Sequence, residues 1–246
     1  MFYKATFPII RSCTGFFVEE TFMLQGKIVL VTGACNRIGA SIARRFASEG
    51  ASLILPVADL SDLDELNQDI KKLGGESILV QADILDVSQM ESLKNAISGT
   101  SKKLDVLIST HFYTSEPNLL VDYEVDEWRR IVEENFSLNW YMLKNFDGLL
   151  KRSEHGRVVF LSLERIVGKN PLYFSPYVAS SAALAQLMKG YANDVLNYGM
   201  CVNMVALEGY EEDISVEPQP KCAELFLSLS SVQCKISGRK HYVSYT

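Results

Sequence analysis

Residues 27–39 read KIVLVTGACNRIG, a β-branched and leucyl run that ends in Thr32-Gly33 and gives way from Ile38 to a helical pattern. Consecutive Val, Ile and Leu favour an extended chain buried on both faces. Beyond the turn, Ile38, Ile42, Ala43 and Phe46 recur at helical spacing, so the segment reads strand, turn, helix. In such a unit Gly33 permits the tight turn and Gly39 lets the helix pack closely on the strand. The helix N-terminus then presents backbone N–H groups and a partial positive charge to an anion such as a pyrophosphate.

The same alternation continues outward from this unit. ASLILPV (51–57), SILVQAD (77–83), LDVLIST (104–110), GRVVFLSL (156–163) and MCVNMVAL (200–207) are further strands. Longer amphipathic stretches separate them, notably DEWRRIVEENFSLNWYMLKNF (126–146) and YVASSAALAQLMKGYANDVLNYG (177–199). Ser61 with Asp64 resembles a capping box with a shortened acid at the head of a helix that Gly74-Gly75 stops. Continuous apolar strands separated by helices predict a parallel sheet covered on both sides, hence an α/β doubly wound, Rossmann-like fold. No linker or repeat interrupts residues 23–246, which read as one domain, with residues 1–22 an N-terminal appendage.

Composition removes several classes of function. A net charge of −6, without any Lys/Arg-rich run, argues against a nucleic-acid surface or an anionic membrane. No apolar stretch approaches the roughly 20 residues needed to span a bilayer. The cysteines, Cys13, Cys35, Cys201, Cys222 and Cys234, form no CxxC pair and have no histidine at ligand spacing. They read as reduced thiols of a cytoplasmic protein, with no metal site. The acidic cluster Asp122, Glu124, Asp126 and Glu127 reads as a solvated helix start rather than a metal site.

The stretch LQGKIVLVTGACNRIGASIARRFASEGA resembles the opening of short-chain dehydrogenases/reductases, whose turn usually reads TGxxxGIG. Further landmarks extend the resemblance from Gln25 to the C-terminus: Asp83 in QADI, Asn135 in EWRRIVEENF, GRVVFLSL, SPYVASSAAL, GMCVNMVA and AELFLSLSSVQCKISG. The resemblance implies an oxidoreductase using NAD or NADP on a carbonyl or alcohol of a small-molecule substrate. It implies cofactor contacts from Thr32, Gly33, Arg37, Ile38, Gly39 and Asp83, and catalytic roles for Tyr177, Asn135 and Ser162. It also implies a homodimer or homotetramer joined through the tyrosine-bearing helix and the one before it.

Several positions depart from that pattern. The family places a Lys four residues after the tyrosine, on the same helical face; here that position is Ser181, and Lys189 lies too far on to replace it. Without that charge, an unperturbed Tyr177 is only about 0.1% ionised at neutral pH. Leu163 occupies the usual serine position, and Ser162, one residue early, should face the opposite side of the strand. Arg37 stands at the middle glycine of the turn, and Ser109-Thr110-His111-Phe112 replaces the family's NNAG. His111 reads as a loop histidine at the ligand-binding edge, with a proton-relay role as the alternative. Val57 replaces the acid that grips the ribose of NAD; Asp59, two residues on, could partly replace it yet would repel the 2′-phosphate of NADP. Leu207-Glu208 replaces Pro-Gly, and only GYEEDISVEPQP (209–220) makes the usually long substrate lid.

Two readings follow. One is an NAD(P)-dependent oxidoreductase with Tyr177 as acid. The other is a catalytically silent relative that keeps the fold for nucleotide binding, regulation or assembly. The missing Lys, the shifted Ser and the short lid favour the second.

Overall fold

The structure is a computed structural model that describes residues 23–116, 118–164, 174–208 and 220–244. The first strand and helix form where the sequence places them, β1 (Ile28–Thr32) and α1 (Arg37–Ser48). They are followed by β2 (Ser52–Val57), α2 (Asp64–Lys72), β3 (Glu76–Gln81), α3 (Val87–Thr100) and β4 (Val106–Ser109). The second half runs α4 (Val125–Val132), α5 (Leu138–Leu150), β5 (Arg157–Glu164), α6 (Ser175–Asp194), β6 (Cys201–Glu208), α7 (Pro220–Ser230) and β7 (Arg239–Ser244). The strands lie in the order β3-β2-β1-β4-β5-β6-β7 and every neighbouring pair is parallel.

Alternation along each strand divides the core into two layers. Val29, Val31, Leu53, Leu55, Val159 and Leu161 point to one side, where Ile42 and Phe46 of α1, Ile70 of α2 and Phe226 of α7 cover them. Leu30, Ile54, Phe160 and Met204 point to the other, against Leu93 of α3, Phe146 of α5 and Met188 of α6. Burial on both faces is why the strands carry no polar alternation. The order reverses between β1 and β4, so the ligand crevice opens beyond the carboxyl ends of these two strands.

Three local expectations change. β7 is a seventh strand, built from RKHYVS and parallel to β6. Its alternation of Lys, His, Tyr and Val lacks the apolar run of a central strand, as befits an edge. Asp59, not Ser61, makes the cap at the head of the α2 region: its carboxylate accepts the Ser61 N–H at 2.9 Å and the Ser61 hydroxyl at 2.8 Å. The long helix over 126–146 contains a π-helical turn, Glu133–Ser137, between α4 and α5. Such turns gather at functional sites, because the extra residue re-aims the side chains beside it.

Candidate active site

The glycine turn is pre-shaped. Gly33 has φ +72°, and a Cβ there would come within 2.6 Å of the His111 backbone nitrogen, so only glycine fits. A Cβ on Gly39 would collide with the Gly33 carbonyl and reach within 2.7 Å of Thr110 Oγ1. Asn36 caps α1, its Oδ1 accepting the Gly39 N–H at 2.8 Å while its Nδ2 donates to the Thr110 carbonyl at 2.9 Å. Thr32 is fully buried, and its carbonyl accepts both the Thr110 N–H (3.2 Å) and the Thr110 hydroxyl (2.6 Å). Thr32 and Ile38 are thus packed into the turn, whereas Arg37 is half-buried and Cys35 opens on solvent. Asp83 is half-buried beyond β3 and accepts the Leu85 N–H at 2.9 Å.

A small cleft of about 20 Å³ opens beside the turn, lined by His111, Phe112, Tyr113, Asn135, Leu161, Ser162, Leu163, Tyr177 and Ser181. It brings together the three residues singled out as catalytic and separates them from Lys189, which does not line it. Tyr177 sits in the first turns of α6, 8% exposed. Its hydroxyl oxygen accepts the Ser115 N–H at 2.5 Å and lies 2.7 Å from the Ser115 hydroxyl. Burial pushes the Tyr177 hydroxyl above its ordinary value, with Ser115 pulling against that and Tyr123 and Glu127 adding to it. The unperturbed value expected from sequence is therefore corrected upward.

Ser162 and Leu163 do face opposite sides of β5: Leu163 packs with the α1 layer. The side left to Ser162 is that of α6, so it lies in the cleft with Tyr177 rather than away from it. Its hydroxyl donates to Ser181 Oγ at 2.7 Å, meeting the residue that stands for the family's Lys.

Asn135 lies in the π turn and clamps the loop after β4, its Oδ1 accepting the Tyr113 N–H at 3.0 Å and its Nδ2 donating to the Tyr113 carbonyl at 2.9 Å. His111 is likewise held: its Nε2 is 2.8 Å from Glu134, whose other carboxylate oxygen accepts from Arg130 Nε at 2.7 Å. Burial would raise the Glu134 carboxyl, but the contacts with His111 and Arg130 outweigh it and keep the group below its ordinary value. The Arg130 guanidinium also stacks 3.8 Å from the Tyr113 ring centre, and the Tyr113 hydroxyl donates to Glu127. His111 therefore belongs to a network that fixes the loop. Ser115 and Glu134 escaped sequence reading, because neither carries a motif and only the fold of the loop brings them in.

The residues of the turn suit a dinucleotide's pyrophosphate: a left-handed glycine, a capped helix start and an open rim. At the positions where the family resemblance places ribose contacts, the side chains differ. Val57 is buried, the Asp59 carboxylate is committed to Ser61, and Phe112 packs on the α1 layer beside the turn. Leu207 is buried in the core; the Glu208 side chain and residues 209–219 lie outside the described residues, as do residues 1–22.

Fold and site together define a doubly wound dinucleotide-binding class with a tyrosine at the sheet's crevice. The chain matches the short chain dehydrogenase family model over residues 27–221 and belongs to that family, whose members are NAD(P)-dependent oxidoreductases. It is 28% identical over 192 residues to the 3-oxoacyl-acyl-carrier-protein reductase of Escherichia coli, covering 78% of this chain and 76% of that one. It is 25% identical over 192 residues to a (-)-trans-carveol dehydrogenase of Rhodococcus erythropolis, covering 73% and 69%. Among solved structures, a short-chain type dehydrogenase/reductase from Mycobacterium marinum superposes with a TM-score of 0.81 at 21% identity, over 91% of this chain and 96% of that one. A metagenomic short-chain oxidoreductase in complex with NADP superposes with a TM-score of 0.76 at 25% identity, over 91% and 99%. Among the described residues, no helix is long and apolar enough to cross a membrane, and no group of three His, Cys, Asp or Glu could hold a metal ion.

Proposed function

We propose that this chain binds NAD or NADP on its glycine turn and reduces a carbonyl of a small-molecule substrate, with Tyr177 as proton donor. The observation that carries this reading is the Tyr177 hydroxyl itself, buried in a cleft with Asn135 and Ser162 at the carboxyl ends of β4 and β5. The turn supports pyrophosphate binding through Gly33, Gly39 and the N–H groups at the start of α1, with Arg37 on its rim and Asp83 toward the adenine. A bound reduced nicotinamide supplies the hydride for the carbonyl carbon.

Tyr177, raised by burial, stays protonated at neutral pH and gives its proton to the carbonyl oxygen. The same shift makes it a poor base, so alcohol oxidation should need alkaline pH. Val57 offers neither a carboxylate for ribose hydroxyls nor a cation for a 2′-phosphate, so both dinucleotides enter the test.

One observation favours the silent reading. Ser162 donates to Ser181 where the family holds a charged amine, and a neutral hydroxyl neither anchors a ribose strongly nor assists Tyr177 by its field. Titration of NADH and NADPH separates the readings. At a hundredfold excess over Kd, binding should add about 2.7 kcal/mol, roughly 5–10 °C in Tm. Binding together with turnover in the native chain supports the reductase. Binding with turnover only in the Ser181→Lys, Leu163→Ser double variant supports the silent relative, and binding in neither form removes both cofactor readings.

A cytoplasmic homodimer or homotetramer completes the proposal. Trp140 of α5 and Val178 of α6 are 44% and 43% exposed on the helices expected at such an interface, and the described cysteines are free. Light scattering that returns a monomer would remove the oligomer.

A further inference from the structure

The reductase reading leaves a chemical vacancy: a carbonyl oxygen taking a proton from Tyr177 needs a second donor, and Leu163 cannot provide one. We propose that Ser115, on the loop between β4 and α4, is that donor, taking over from the strand the hydroxyl that polarises the substrate carbonyl. This inference rests on the reading of Tyr177 as the acid.

The geometry is direct. Ser115 Oγ lies 2.7 Å from the Tyr177 oxygen, and two hydroxyls at that separation can both reach one oxygen placed across from them, each at an ordinary O–H···O length of about 2.7 Å. The Ser115 N–H donates to the same tyrosine oxygen, so the backbone holds that oxygen while the serine's one hydroxyl proton can turn to the substrate oxygen. Donors aimed at an oxygen that gains charge act most strongly where water is excluded, and Tyr177 is 8% exposed. Ser162, which lines the cleft with Tyr177, is engaged with Ser181 instead.

Ser115 is also held in place rather than merely near. The Asn135 side chain bonds both the N–H and the C=O of Tyr113, two residues earlier, and Arg130 stacks on the Tyr113 ring. The clamp therefore fixes the loop from the π turn, and Asn135 acts on the site through the Tyr113 backbone. When Tyr177 gives up its proton, the Ser115 donors oppose the effect of burial on the phenolate. Among the described residues, the titratable groups near this position include Tyr123, ahead of α4, Glu127 on α4, and His111 and Tyr113 in the loop after β4.

The test is the Ser115→Ala variant of the full chain, read two ways. Tyrosine labelled with 13C at Cζ reports the Tyr177 titration by NMR, with Tyr177→Phe assigning its signal, and requires neither cofactor nor turnover. We expect loss of the hydroxyl to move that titration upward by about one pH unit. In NAD(P)H-driven carbonyl reduction we expect kcat/KM to fall about 100-fold with dinucleotide affinity unchanged, and Ser115→Thr to recover most of the loss. A Tyr177 titration that Ser115→Ala leaves in place overturns the inference. If the native chain shows no turnover while the titration moves, the contact between the residues stands and the reductase reading is what fails.

Discussion

Tyr177 and the side chains around it set what one residue can decide. Replacing its hydroxyl by Tyr177→Phe should lower carbonyl reduction by about 10²–10⁴-fold without altering dinucleotide affinity, measured by steady-state rates beside a binding titration. A second residue-level consequence lies at the opposite end of the sheet. Cys201 Sγ donates to the Cys234 carbonyl at 3.4 Å, and contact with the Cys201 thiol, the Ile236 backbone and the Arg157 charge hold the Cys234 thiol below its ordinary value. Burial pushes Cys222 up to about 12. At pH 7 an alkylating reagent followed by peptide mass mapping should therefore label the partly exposed Cys234 ahead of the buried Cys222; equal labelling would contradict this. Sequence made Tyr177, Asn135 and the loss of Lys at 181 legible because each sits at a fixed offset in a helix. It could not reveal Ser115, whose place depends on how a loop of irregular conformation is clamped by a helix about 20 residues later.

At the scale of elements, strand alternation and helix periodicity carried nearly everything. The core division into two layers follows from side chains along β1, β2 and β5 pointing alternately to the layer of α1 and to the layer of α3, α5 and α6. That alternation also explains Ser162: the parity was readable, but which helix covers each face needed the topology. The π turn at Glu133–Ser137 was not readable, because an inserted residue in a helix leaves no compositional trace. Joints between elements depend on a few buried polar groups. Asp105, ahead of β4, accepts the Ile28 N–H at 3.0 Å, Lys103 Nζ at 2.9 Å and the Ser153 hydroxyl at 2.6 Å. Burial opposes its charge, but these donors prevail and keep the carboxyl below its ordinary value. A depressed acid contributes stability above its unfolded value near 4 and loses it as pH falls. Asp105→Ala should cost about 3 kcal/mol at pH 7 in urea unfolding, and the difference from the native chain should shrink toward pH 3; a cost independent of pH would contradict the ionised assignment.

The molecule as a whole is the family's framework, held together by residues away from the crevice. Arg157, among the largest fully buried side chains, donates to the carbonyls of Ser231, Gly156, Gly199, Val232 and Cys234, joining β5 to the segment between α7 and β7. Its planar fork satisfies several backbone acceptors at once, which Lys cannot do. Arg157→Lys should lower stability by about 3 kcal/mol or more while leaving dinucleotide affinity unchanged in the fraction that folds, as denaturant and binding titrations would show. Framework and site thus answer to different residues, and the departures from the family's pattern are concentrated at the crevice. The most direct measurement is oxidation of NADH and of NADPH by the native chain against a panel of carbonyl compounds from pH 6 to pH 10, beside Tyr177→Phe. We expect dinucleotide oxidation that depends on the carbonyl, persists through neutral pH and disappears in Tyr177→Phe. Carbonyl-dependent turnover equal in the two proteins, or none in the native chain at any pH, would contradict a working Tyr177 acid.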